Sequence, residues 1–222
     1  MQASENPFSV QRIHALRFWF AGSGSVEALA AKFWDRVAQG ERRQVLLGGH
    51  GSGKSTLLRE IGRFWEVEGR PVIRIDGAKL LVNSEPAKRA NRLERRLGQV
   101  LLIDSAEKLP WIEWLRIWWK FRNTPILATA HRPGRFAVLY HCRPSVADLE
   151  RFCEELVGGD GGWFREQCPR EQLAQIFTAW NGDIRQCFFE LYDRVAQGTG
   201  PLGQKSRIIC EPSPLIVPEK QA

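Results

Sequence analysis

Between Gln44 and Ile61 the chain reads QVLLGGHGSGKSTLLREI, and no other stretch restricts its fold as strongly. It holds the pattern G-x-x-x-x-G-K-[ST] in full: Gly48, then Gly49, His50, Gly51 and Ser52, then Gly53, Lys54 and Ser55. An apolar strand-like run, Val45 to Leu47, leads in. A helix with Leu57, Leu58, Ile61, Phe64 and Trp65 on one face leads out, which is the context the pattern requires. Glycines permit a turn tight enough for successive backbone N–H groups to point at phosphate oxygens, and the helix N-terminus adds the positive end of its dipole. Lys54 then reaches the β- and γ-phosphates, Ser55 offers a hydroxyl to Mg²⁺, and Thr56 lies toward the α-phosphate. The expected ligand is ATP or another nucleoside triphosphate, with Mg²⁺.

Short apolar runs recur after this loop: Pro71 to Ile75, Gln99 to Ile103, Thr124 to Thr129 and Phe136 to Cys142. Each is too short for a helix, and helical patterns separate the earlier ones, so the pattern predicts an α/β fold with a parallel sheet of about five strands flanked by helices. A helix is expected over Val26 to Ala38, where Leu29, Phe33, Trp34 and Val37 fall at helical spacing. In WIEWLRIWWKF, Trp111, Trp114, Leu115 and Trp118 also recur at helical spacing, and this stripe is expected in the core; a base-stacking surface would need the tryptophans exposed. Beyond Arg143-Pro144 only helical runs continue, at Ser145 to Val157, Arg170 to Trp180 and Asp183 to Val195, which predicts a small helical lid. The expected domains are an aromatic arm (1–25), a nucleotide-binding core (26–142), the lid (143–197) and a tail rich in Gly, Pro and Ser (198–222). The arm carries Ile13, Leu16, Phe18, Trp19 and Phe20, and is expected to cover the core's own flank or to contact a neighbouring subunit.

The chain has 32 basic and 25 acidic residues, for a net charge of +7, which fits an anionic partner or a solvated basic surface around a phosphate site. Lys88, Arg89, Arg92, Arg95 and Arg96 crowd one predicted helix, read either as a solvated face or as a contact to nucleic-acid phosphates. Five cysteines without metal-ligand spacing read as reduced thiols. Neither His131 nor His141 has a ligand partner at metal spacing. An N-terminus with no apolar core segment and no membrane-length apolar run lead to the expectation of a cytoplasmic protein, with no membrane partner.

Val100 to Asp104 is an apolar strand ending in a carboxylate, one strand removed from the phosphate loop, and Asp104 is expected to hold Mg²⁺ directly or through water. With this element in place, the stretch from about Val26 to Val195 resembles the AAA+ ATPases. Gly48 to Ser55 is similar to their Walker A motif and Asp104 to the Walker B aspartate. Thr129, ending the next strand, resembles the sensor 1 residue that positions the attacking water. Arg185, within Asn181-Gly182-Asp183-Ile184-Arg185, resembles the sensor 2 arginine that reads the γ-phosphate. The resemblance implies a five-stranded core with a helical lid, MgATP hydrolysis, assembly with further copies of the chain, and an arginine supplied by a neighbouring subunit.

The chain departs from that pattern in two places. Ser105 stands where the family has its catalytic glutamate, and the nearest carboxylate is Glu107, read either as the base or as the acidic residue of a helix start. Arg132 and Arg135 follow Thr129 more closely than the family's finger arginine does, and either is also readable as a plain loop residue. An ATPase is the leading expectation. A nucleotide-gated binding module with little turnover and a small-molecule phosphotransferase are the alternatives.

Overall fold

A computed structural model of the chain describes residues 6–16, 24–78, 98–158, 164 and 168–197. The basic run from Lys88 to Arg96, the aromatic residues Phe18, Trp19 and Phe20, and the tail from residue 198 lie outside the described residues.

Five strands form one sheet: β1 (Arg43–Leu47), β2 (Val72–Asp76), β3 (Val100–Asp104), β4 (Ile126–Ala130) and β5 (Ala137–His141). Their order is β2-β3-β4-β1-β5, and every described pairing is parallel. The strands are nearly continuous in apolar residues because both faces are covered, and side chains alternate between two clusters. Leu46, Val100, Leu102, Leu127 and Leu139 face one way. Val45, Leu47, Leu101, Ile103 and Ala128 face the other.

Helices α2 (Val26–Ala38) and α3 (Lys54–Val67) cover the first face. Ser25 caps α2 by accepting from Ala28 N–H at 3.1 Å. The two helices meet through Phe33, whose ring centre lies 4.9 Å from Trp65 and 5.3 Å from Trp34. Phe33 is fully buried. Phe33→Ala is therefore expected to cost about 3–5 kcal/mol through lost transfer energy and an unfilled cavity, read as a lower urea midpoint at unchanged slope.

The second face is covered by helix α4 (Trp111–Lys120) and by the connection from β4 to β5. Here the structure corrects the core reading of the tryptophan stripe. Ile117, Phe121 and the Glu113 side chain turn inward, and Trp114 is half-buried, donating from Nε1 to Ala106 O at 3.1 Å. Trp111, Leu115 and Trp118 are exposed, as are Ile112 and Trp119. The physical reason is that α4 has two apolar sides, and the one with Ile117 meets the sheet, so the opposite side with Trp111, Leu115 and Trp118 is turned away from it. On that outer side the Arg43 guanidinium lies 3.7 Å over the Trp118 ring. Residues 131–136 join two parallel strands with only six residues and no helix, where such a crossover usually takes a dozen or more.

After β5 come α5 (Val146–Val157), α6 (Arg170–Ala179) and α7 (Ile184–Ala196), whose apolar residues join the first cluster. Ser145 and Asp148 close a capping box at the start of α5. The N-terminal segment contains a short helix, α1 (Val10–Ala15). It packs on these later helices rather than on the sheet's flank: Phe8 is buried with ring centres 6.1 Å from Phe164 and 6.3 Å from Phe188, and Asn6 Nδ2 donates to Tyr192 O at 2.9 Å. No helix among the described residues is long and apolar enough to cross a membrane.

Candidate active site

The loop from Gly48 to Gly53 leaves the carboxyl end of β1 and feeds α3. Two glycines show why the sequence is confined. A Cβ on Gly48 would stand 2.4 Å from Ser52 Oγ and 2.6 Å from Cys142 O, so backbone and loop close on it. Gly51 has φ +61°, and a Cβ there would fall 1.7 Å from Asp183 Oδ1, at the cap of α7. Ser52 Oγ donates to Gly49 O at 2.9 Å and pins the turn.

Lys54 is buried and folds back over the loop, donating from Nζ to Gly48 O at 2.8 Å and to Gly49 O at 2.5 Å. Burial pushes its pKa down, while Glu107, Asp104 and Asp183 pull it up. Cys142 lies beside the ammonium, but burial pushes its thiol up to about 12, so at neutral pH the opposing charge comes from the three carboxylates.

Asp104, Ser55 and Thr129 meet at one point. Ser55 Oγ donates to Asp104 Oδ1 at 2.8 Å, and Thr129 Oγ1 donates to the same oxygen at 2.6 Å. Thr129 is buried and its hydroxyl also accepts from Ser105 N–H at 2.8 Å. The topology brings them together, because β4 lies between β1 and β3, and all three present their carboxyl ends to the loop. These donors are all oxygen, the set a hard cation such as Mg²⁺ takes. Thr56 has its hydroxyl 3.4 Å from Arg59 Nη2.

Ser105 adopts a left-handed conformation, φ 54° and ψ 52°, and starts a 3₁₀ turn over Ala106–Lys108. The turn carries Glu107 toward His131, and Glu107 Oε1 lies 3.4 Å from His131 Nε2. His131 Nδ1 donates to Gly48 O at 2.9 Å, and its ring centre lies 4.2 Å from that of His50 with the planes tilted by 41°. His131 is therefore tied to both the loop and the candidate base. Sequence spacing missed this because the pair is 24 residues apart and joined only by the adjacency of β3 and β4. His141 and the loop arginines Arg132 and Arg135 are exposed.

A cavity of about 480 Å³ opens beside the loop between α3, α7 and the N-terminal segment. Residues 51–56 form its phosphate-loop wall, Ile184, Arg185 and Phe188 its lid wall, and Val10 and Ile13 its apolar end. Arg185 is exposed in the first turn of α7, whose cap Asp183 accepts from Arg185 N–H at 3.0 Å and Gln186 N–H at 3.1 Å. The part of the N-terminal segment in this wall also escaped sequence reasoning, since Val10 and Ile13 carry no motif. Cys153 and Cys187 sit in the lid core, where burial raises both thiols, and Cys168 nearby is raised to about 11.

No family model matches the chain. The phosphonates import ATP-binding protein PhnC of Burkholderia pseudomallei is 30% identical over 129 residues, covering 51% of this chain and 41% of its own. The chain thus spans about two fifths of the curated relatives it matches. Among solved structures, a RuvB variant of Thermotoga maritima is 20% identical with a TM-score of 0.51, over 87% of this chain and 65% of that one. NtrX of Brucella abortus in complex with ADP is 15% identical with a TM-score of 0.54, over 84% of this chain and 53% of that one. These likenesses extend across sheet and later helices alike, and it is the AAA+ P-loop NTPase fold that this chain adopts.

Proposed function

We propose that the protein binds MgATP between its phosphate loop and lid and hydrolyses it, using the cycle to shift the lid against the core. The observation that carries this reading is the convergence of Ser55 and Thr129 on Asp104, directly beside Lys54. The NtrX structures hold ATP or ADP and PhnC is named for ATP binding, which supports the choice of nucleotide. Residues 48–53 cradle phosphate oxygens with backbone N–H groups, Lys54 leaves its two carbonyls for the β- and γ-phosphates, and Thr56 lies toward the α-phosphate. Ser55 and Asp104 hold the Mg²⁺, which when bound neutralises charge developing on the phosphates. Thr129 orients water, and Glu107 accepts its proton. The base enters the cavity's apolar end against Val10 and Ile13.

Arg185 reads the γ-phosphate in this scheme. A charge-assisted hydrogen bond made in only one complex is worth about 1.5–3 kcal/mol, so Arg185→Ala should weaken ATP binding at least about tenfold and leave ADP nearly unchanged. Titration of both nucleotides by calorimetry checks it, and an unchanged ratio removes Arg185 from the γ-phosphate.

A second reading, a nucleotide-gated module with little turnover, is favoured by one feature: Glu107 sits two residues beyond the family's position and faces His131. Steady-state ATPase measured against protein concentration separates the two. Turnover that rises with concentration supports an assembling hydrolase with an arginine, Arg132 or Arg135, supplied in trans. Tight binding without turnover supports the module. Contact with nucleic acid through Lys88, Arg89, Arg92, Arg95 and Arg96, and residence in the cytoplasm, remain proposals of the same reading.

A further inference from the structure

Helix α4 is apolar on two opposite faces, which a helix at a protein surface normally is not. The inner face, with Ile117 and half-buried Trp114, meets the sheet. The outer face exposes Trp111 by 70%, Ile112 by 46%, Leu115 by 57%, Trp118 by 43% and Trp119 by 78%. Taken from Leu115, these positions are four and three residues before it and three and four after it. At 3.6 residues per turn all five lie within about 60° of one direction, and the pattern is the same read from either end. We propose that this face is a two-fold interface between two copies of the chain, with the α4 helices antiparallel and Leu115 on the axis.

A two-fold contact must be self-complementary, and this stripe is: Trp111 meets the second copy's Trp118, Ile112 meets its Trp119, and Leu115 meets Leu115. Arg116 lies on the same flank of the axis as its copy, about one residue of rise to either side, and Lys120 points away from the second copy. Glu113 is buried and paired with Arg116, and the Arg43 guanidinium already lies 3.7 Å over the Trp118 ring, so two charges near the stripe are partly spent. With tryptophan side chains offering roughly 150–250 Å² each, the five residues expose about 600 Å² per copy, so a pair buries about 1,200 Å², the lower end of specific interfaces before any rim is counted. The many exposed rings and flanking arginines match the composition of such contacts.

The test is sedimentation velocity of the full chain without nucleotide as its concentration is raised. The expected mass moves from 25.4 kDa to twice that, and Leu115→Asp stays at the monomer mass over the range where the parent is dimeric, with an unchanged circular dichroism spectrum. A second measurement fixes geometry. In a Cys210→Ser background, Leu115→Cys should form a spontaneous intermolecular disulfide in high yield and Ile112→Cys should not, because only an on-axis residue meets its own copy within disulfide reach. A chain that is monomeric throughout, a Leu115→Asp dimer, or equal cross-linking at both positions overturns the proposal. Nucleotide affinity is measured alongside and is expected unchanged in Leu115→Asp, so the interface and the ATP site stand or fall separately.

Discussion

Lys54→Ala is expected to abolish nucleotide binding while leaving the fold intact. In the empty loop the ammonium is held by two carbonyls, those of Gly48 and Gly49, and burial makes its charge costly to keep. A polyphosphate offers that charge stronger acceptors in the same place. Each charge-assisted hydrogen bond to phosphate is worth about 1.5–3 kcal/mol, so losing two or more lowers affinity at least about a hundredfold. Calorimetry with ATP and Mg²⁺ measures this directly, and a circular dichroism melt shows whether the variant is folded. An affinity equal to the parent's in a folded variant would remove the phosphate-loop assignment and the proposed function with it.

The second large effect is expected at Glu107. Replacing it with glutamine keeps shape and hydrogen-bonding reach but cannot take a proton, so hydrolysis should fall by roughly a hundredfold or more with ATP affinity near the parent's. The geometry makes the case. Ser105 turns left-handed, the 3₁₀ turn follows, and Glu107 faces His131 at 3.4 Å, so the carboxylate is held near the loop although it sits two residues late. His131 Nδ1 donates to the Gly48 carbonyl, and Nε2 faces the Glu107 carboxylate. In the proposed scheme His131 acts on Glu107 as a positioning residue rather than on substrate. Single-turnover rates for Glu107→Gln measured beside binding decide the matter, and equal rates would assign the proton to another acceptor.

The sheet and its ligand-facing edge were legible because their signals are local. Four apolar residues before Asp104 and three before Gly48 announce buried strands, and parallel pairing then carries Asp104, Thr129 and Ser55 together without further information. The lid helix was legible from Gly182-Asp183, since the cap of α7 is made by the side chain the sequence offers for it. Pairwise meetings across the fold were not. Nothing in the spacing of His131 and Glu107 brings them together; the turn at Ser105 does. The tryptophan stripe misled for a related reason. Helical spacing says that residues share a face, but α4 has a second apolar side with Ile117, and it is that side which meets the sheet.

The connection from β4 to β5 has a mechanical consequence. From Ala130, level with Leu47, the chain must reach Ala137, level with Gln44, on the far side of β1. Two strand spacings and three residues of rise make about 14 Å before any detour over β1, against about 24 Å for seven fully extended steps. A turn in which Phe136 N–H donates to Pro133 O at 3.0 Å takes up part of that length. A helical crossover can slide or tilt on its sheet; this connection is a six-residue loop. One end is His131, gripping the phosphate loop, and the other is β5, from which the chain runs through Cys142 into α5 and the lid. In the proposed cycle, a shift of the phosphate loop would reach β5 and the lid along these few residues.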